Sequence, residues 1–146
     1  TDYHIDIAAR FVDKNKVLYA WTDNKKDPRY PYLAKHFKEL QNATDEDGNP
    51  LILEPVYLPD GGVFAIGERD DPVLGSGSSF TDASYLNYLV SNDIVLVPAF
   101  GNANDAAAQA VLSKCFPERK IIPVPAVSLT AEGGAIHCVT QQQPAV

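Results

Sequence analysis

The chain has 146 residues, 45% of them hydrophobic, enough for one globular domain that buries roughly 70% of its unfolded surface. Twelve Lys plus Arg against 19 Asp plus Glu leave a net charge of −7, and no basic block could follow a phosphate backbone, so nucleic acid is not an expected partner. No run approaches the ~18 apolar residues of a membrane span. Cys115 and Cys138 are too few for a secreted disulfide framework, so a reducing, cytoplasmic setting without a membrane partner is expected. The acidic surface reads as ordinary solubility charge, with a mild attraction for cations.

In chain order, His4 to Val12 alternates Ile5, Ile7, Ala9 and Phe11 against His4, Asp6, Ala8 and Arg10, which predicts a strand with His4 and Asp6 on one face. A turn at Asp13–Lys16 leads to a second strand over Val17–Trp21. Tyr30, Leu33, Ala34, Phe37 and Leu40 recur at helical spacing, and Leu51–Leu58 is a third strand. His36, beside Lys35 and Lys38, is expected in solvent.

The order then recurs. Tyr85–Val90 and Ile94–Phe100 read as strands, Asp105–Cys115 as a helix capped by Asn102 or Asn104, and Lys120–Val124 as a strand. Pro59–Thr81 lies between the two units and holds Gly61-Gly62 and Gly75-Ser76-Gly77-Ser78-Ser79. No Lys follows this run, which reads as a plain flexible connection rather than a phosphate cradle. Trp21 and Tyr85 read as core.

The chemistry-bearing residues lie at the two ends. Cys138 follows Gly133-Gly134-Ala135-Ile136-His137, and His4 and Asp6 form a His-x-Asp pair at the other end. A thiol after two glycines can sit on a tight turn that a ligand approaches closely, and with His and Asp elsewhere it is a nucleophile candidate against the alternative of a buried structural thiol. His137, adjacent to Cys138 and facing the opposite side of an extended segment, is expected to support rather than to catalyse. A zinc site from His4, Asp6, His137 and Cys138 lacks the closely spaced ligand pairs of structural zinc motifs, so no metal is expected.

Thr1-Asp2-Tyr3-His4-Ile5-Asp6-Ile7-Ala8-Ala9-Arg10-Phe11-Val12, Trp21-Thr22-Asp23, Ser84-Tyr85-Leu86-Asn87 and Gly133 to Pro144 resemble, in that order, stretches of the agmatine deiminase and bacterial peptidylarginine deiminase family. The resemblance implies an α/β fold of the pentein type, a β/α-propeller of ββαβ modules around a central site. This chain would hold about two of them, near 3–58 and 82–126, with a glycine-rich connection over 59–81 and a nucleophile segment over 127–146. It implies the carboxyl-terminal part of a longer catalytic domain. A chain without methionine fits that reading, with an amino-terminal half as partner and a homo-oligomer conceivable.

The activity implied is hydrolysis of a guanidine without cofactor: agmatine to N-carbamoylputrescine and ammonia, in polyamine biosynthesis. Peptidylarginine or arginine is the alternative substrate, and a non-catalytic assembly fragment the alternative of another kind. Cys138 would attack the guanidine carbon, His4 would carry protons, and Asp6 would hold the cation. Asn87, Gly133 and Gly134 would line the substrate, although for Asn87 a polar cap or strand-edge role is equally consistent with the residues. Tyr3, Glu132 and Ala135 depart from the commonest family residues beside these groups, which leaves the choice of guanidine open.

Overall fold

The computed structural model describes residues 4–60, 64–66, 78–80, 83–130 and 133–143. Two three-stranded sheets of identical plan dominate. In the first, β1 (Ala9–Phe11) pairs antiparallel with β2 (Lys16–Trp21), which pairs parallel with β3 (Ile52–Tyr57). In the second, β6 (Leu89–Val90) pairs antiparallel with β7 (Ile94–Ala99), which pairs parallel with β8 (Lys120–Pro125).

A parallel pair needs a crossover, and a helix supplies it in each unit: α2 (Tyr30–Gln41) between β2 and β3, and α3 (Asp105–Cys115) between β7 and β8. The central strands read as continuous apolar runs because both of their faces are covered; Val17, Leu18, Tyr19 and Ala20 are all buried, as are Val95 and Val97. Pro31 in the first turn of α2 suits a helix start. Phe37 from that helix stacks on Tyr19 at 4.9 Å and tilts against Trp21 at 5.4 Å, so the helical spacing of Leu33 and Phe37 is spent on the sheet. On α3, Ala108 and Leu112 do the same. One apolar cluster runs through both units, from Leu18 and Val56 to Tyr85, Tyr88, Val97 and Leu112, with Trp21 packed against it.

Polar contacts join the units as well. The buried Asp27 carboxylate holds the Arg29 guanidinium at 2.7 Å, and Arg29 donates to the carbonyls of Pro59 and Ala83. Asp27 is pushed up by its burial, but hydrogen bonds and charge from Arg29 outweigh this and hold it below the ordinary carboxylate range.

Several sequence expectations are corrected. The predicted strand over His4–Val12 begins only at Ala9. Residues Ile5–Ala8 form one helical turn, α1, with Ala9 N–H donating to the Ile5 carbonyl. Its alternation reported no buried face, since Ile5 is 73% exposed. The strand expected over Tyr85–Val90 shrinks to Leu89–Val90. Ser84 Oγ takes the Leu86 N–H, and Asn87 N–H turns back to the Ser84 carbonyl, so a side chain competes with the ladder and wins.

Neither asparagine side chain caps α3. Asn102 forms a reciprocal pair with the backbone of Asp60, and Asn104 donates to the Leu58 carbonyl. The Asp105 carboxylate turns back onto the N–H groups of Phe100 and Gly101 and accepts the Tyr85 hydroxyl.

His36, expected in solvent, is half-buried, because it follows Leu33 by three positions and shares its helix face; among the described residues its Nδ1 has no hydrogen-bond partner. The segment expected as a plain loop contains a short antiparallel ladder of β4 (Phe64–Ile66) with β5 (Ser78–Phe80). Gly61-Gly62 and Gly75-Ser76-Gly77 lie outside the described residues, as do Tyr3 and Glu132.

Candidate active site

Three short turns, remote in sequence, build the site. The first is α1 with His4 at its amino end and Asp6 within it. Ser84 Oγ pins it by donating to the Ile7 carbonyl at 2.8 Å. The second is the buried Ser84–Tyr88 turn, whose Asn87 side chain is wholly inside the protein. The third follows a short helix, α4 (Val127–Thr130), and consists of Gly133-Gly134-Ala135-Ile136 and a single 3-10 turn over His137–Val139.

Asn87 is the hub. Its Nδ2 donates to Asp6 Oδ2 at 2.9 Å and to Cys138 Sγ at 3.1 Å. Its Oδ1 accepts the N–H groups of Ala135 at 3.0 Å and Cys138 at 3.3 Å. Its carbonyl accepts His137 N–H at 3.2 Å. A buried asparagine with all these groups satisfied is a rigid bracket between the first and third turns. The residues alone left Asn87 open to a cap or strand-edge role; its geometry is instead that of a connector.

Asp6 has two unlike oxygens. Oδ2 lies 2.7 Å from His137 Nδ1, 2.9 Å from Asn87 Nδ2 and 3.4 Å from Cys138 Sγ. Oδ1 is buried and, among the described residues, has no partner. Burial pushes this carboxyl up, but hydrogen bonds from His137 and Cys138, with the charge attraction of His137 and His4, outweigh it and hold the group below the ordinary carboxylate range. An anion with one oxygen fully engaged and one unclaimed presents a directional acceptor, because a buried acceptor without a donor is costly.

Cys138 has an exposed face, yet its sulfur rests against Asn87 and Asp6. Burial of the sulfur raises the thiol pKa above the ordinary range, and the Asp6 carboxylate adds to the rise; the Asn87 amide and the Ala135 N–H pull the other way without cancelling it. In the absence of a cation the group is therefore a thiol at neutral pH. Gly134 makes this seat possible: a Cβ there would fall 2.5 Å from Cys138 Sγ and 2.7 Å from its Cβ. Gly133 takes φ +98° at the same turn, a conformation that favours glycine.

His4, Asp6 and Cys138 offer ligand atoms that all lie within 4.8 Å of one another. Hydrogen bonding already accounts for the closeness of Cys138 and Asp6.

The expected residues His4, Asp6, Cys138, Asn87, Gly133 and Gly134 thus stand together. His4 and Asp6 do not share a strand face as expected, since a helical turn rather than a strand carries them. The expected opposition of His137 and Cys138 is also corrected: a 3-10 turn, not an extended segment, lets His137 reach Asp6 while Cys138 reaches Asn87. Ser84 and Arg10 were in the resembling stretches but carried no role; only their long-range contacts reveal one.

A thiol on a glycine turn, a histidine and a half-engaged carboxylate meet at one place, and the comparisons give the chain a family. The model of the Porphyromonas-type peptidyl-arginine deiminase family matches residues 1–144, and the chain belongs to that family. It is 36% identical over 152 residues to the agmatine deiminase of Pseudomonas aeruginosa and 37% identical over 151 residues to that of Stutzerimonas stutzeri, covering 99% of this chain and 41% of each relative. Among solved structures it resembles the agmatine deiminase of Enterococcus faecalis, with a TM-score of 0.86 and 32% identity over 97% of this chain and 40% of that one. The chain thus spans about two-fifths of the length of these relatives.

Proposed function

We propose that the chain carries the nucleophile and proton-transfer half of a guanidine deiminase, acting on agmatine, with peptidyl-arginine or free arginine as the alternative substrate. The observation that carries this reading is the convergence of His4, Asp6 and Cys138, the last two held by the Asn87 bracket, with Asp6 Oδ1 unclaimed among the described residues.

A guanidinium is a planar, permanently protonated cation whose N–H groups match a carboxylate. Placed against Asp6, it would bring a positive charge beside Cys138 and lower the thiol pKa that burial and Asp6 keep high. The Cys138 proton then passes to His4, and the thiolate attacks the central carbon, giving a neutral tetrahedral adduct. His4 returns the proton to the departing nitrogen, the C–N bond breaks, and ammonia leaves a thiouronium on Cys138. Water attacks the same carbon while His4 takes its proton; the C–S bond then breaks as the new hydroxyl's proton passes to the sulfur, leaving the ureido product and the Cys138 thiol, and His4 gives its proton to solvent, where it meets the released ammonia. His137, donating to Asp6 Oδ2, keeps that carboxylate ionised and turned.

The two sheets, each an antiparallel pair extended by a parallel crossover, are read as two ββαβ modules, near 3–58 and 82–126, of a propeller that the remaining length of the protein completes. The site belongs to the propeller's centre, and a second guanidinium-binding surface comes from that remainder. Two free thiols fit a reducing cytoplasm.

The test is ammonia release by the full-length protein from agmatine, arginine and a peptidyl-arginine. Agmatine should be preferred by kcat/KM. In the same assay Asp6→Asn should raise KM and lower kcat together, reducing kcat/KM by about 10²-fold or more, because the substituted side chain loses the charge that holds the cation in both ground and transition states. Undiminished kcat/KM in Asp6→Asn would move the cation-holding role elsewhere.

A further inference from the structure

Asn87 can act as a bracket only if its own backbone is held, and one side chain does this from the other unit. Arg10, on β1, extends a half-buried guanidinium whose Nη1 donates to the carbonyl of Leu86 at 3.2 Å and to that of Tyr88 at 3.0 Å. These are the residues on either side of Asn87. The guanidinium carbon lies 4.4 Å from the centroid of the Tyr88 ring, and Tyr88 is itself buried and packed edge-on against Phe116. The cation is thus held by a fixed aromatic face and holds two carbonyls in turn.

We propose that Arg10 is a positioning residue of the reaction: by clamping both neighbours of Asn87, it sets where the Asn87 amide meets Asp6 Oδ2 and Cys138 Sγ, and so tunes the reactivity of the thiol. Arg10 touches none of the reacting groups. It follows Asp6 by four residues, and its bonds to Leu86 and Tyr88 span 76 and 78 residues of sequence. It therefore fixes the spacing between the turn that carries His4 and Asp6 and the turn that carries Asn87. The Asn87 amide is a donor that lowers the Cys138 thiol pKa, so a misplaced Asn87 leaves that thiol harder to ionise.

The inference rests on reading Cys138 as the nucleophile, but its test needs no substrate. In the full-length protein with Cys115→Ser, the rate at which neutral iodoacetamide alkylates the peptide containing Cys138 is followed against pH by mass spectrometry. Arg10→Met, which keeps the stem and removes the donors, should move the midpoint upward. At pH 7.5 the rate should fall about three- to tenfold and converge with the parent at high pH, the pattern of a raised thiol pKa. Asn87→Ala should move it the same way, and the double variant should be no slower than Asn87→Ala alone, since both act through one contact. Arg10→Lys, able to donate to both carbonyls, should recover most of the rate.

A structural tie alone would lower Tm and leave the pH profile in place. A folded Arg10→Met with the parent profile, or a double variant whose losses add, overturns the proposal. Should Arg10→Met fail to fold, Arg10→Gln is read by the same criteria. Failure here would leave the role of Cys138 untouched, whereas ammonia release surviving in full-length Cys138→Ala would remove that role without bearing on the Arg10 clamp.

Discussion

Cys138→Ala in the full-length protein should abolish ammonia release from agmatine, by at least about 10⁴-fold in kcat, with no loss of fold. Both halves of this expectation follow from the geometry. Among the described residues at the site the sulfur is the only group able to form the covalent adduct, so none of them can replace it in the proposed path. Cys138 also has an exposed face and lies outside the apolar cluster, so truncating it opens no core cavity, and the Asn87 amide keeps Asp6 as its acceptor at 2.9 Å. Tm within about a degree of the parent and a rate at background would agree. Retained turnover would exclude the thiol mechanism.

Gly134→Ala should be the most damaging substitution outside the reacting groups. The added methyl would meet Cys138 Cβ at 2.7 Å as well as Sγ at 2.5 Å. Rotating the thiol away therefore does not relieve the clash, and the His137–Val139 turn has to move. Cys138 then loses its 3.1 Å contact with Asn87. A displacement on the order of 1 Å costs about 10²-fold in rate where attack geometry is strict. Gly133→Ala is the control: a Cβ there meets nothing within 4 Å, although its φ of +98° imposes about 1–2 kcal/mol of backbone strain. Gly133→Ala should lower Tm while keeping most of kcat; Gly134→Ala should lose kcat. Equal kcat in the two variants would show that the close approach at Gly134 is not what seats the nucleophile.

The parts of the fold that were legible in the sequence are the long, periodic ones. The runs Val17–Trp21 and Ile94–Phe100, and the helical spacing over Tyr30–Leu40 and Asp105–Cys115, match β2, β7, α2 and α3 within a residue or so, because each spends a whole face on the core. The turns that carry the chemistry were not legible. Ile5–Ala8 alternates like a strand but is a helical turn held by Ser84. Tyr85–Asn87 looks strand-forming but is bent by the Ser84 hydroxyl and turned inward. His137-Cys138 points two neighbours at different partners because it is a 3-10 turn. In each case hydrogen bonds from distant residues override local preference, and nothing in a local window encodes them.

The same holds for the candidate site. The residue types and the glycine pair marked Cys138, His4 and Asp6 as candidates, and the resemblance joined them. What joins Asp6 and Cys138 physically is Asn87, and behind it Arg10, through contacts spanning 51 to 81 residues. His137 shows the limit from the other side, since only the fold reveals that its ring nitrogen reaches Asp6 Oδ2 at 2.7 Å.

The most direct test of the account is to catch the covalent step. Full-length protein is mixed with agmatine, quenched in acid within the first turnovers and analysed by peptide mass spectrometry, with His4→Ala run in parallel because His4 serves both the formation and the hydrolysis of the adduct. Expected is a thiouronium mass on the peptide containing Cys138, absent from the peptide containing Cys115 and slower to appear in His4→Ala. Ammonia released with no adduct on Cys138 in either protein, or with the adduct on Cys115, would contradict it.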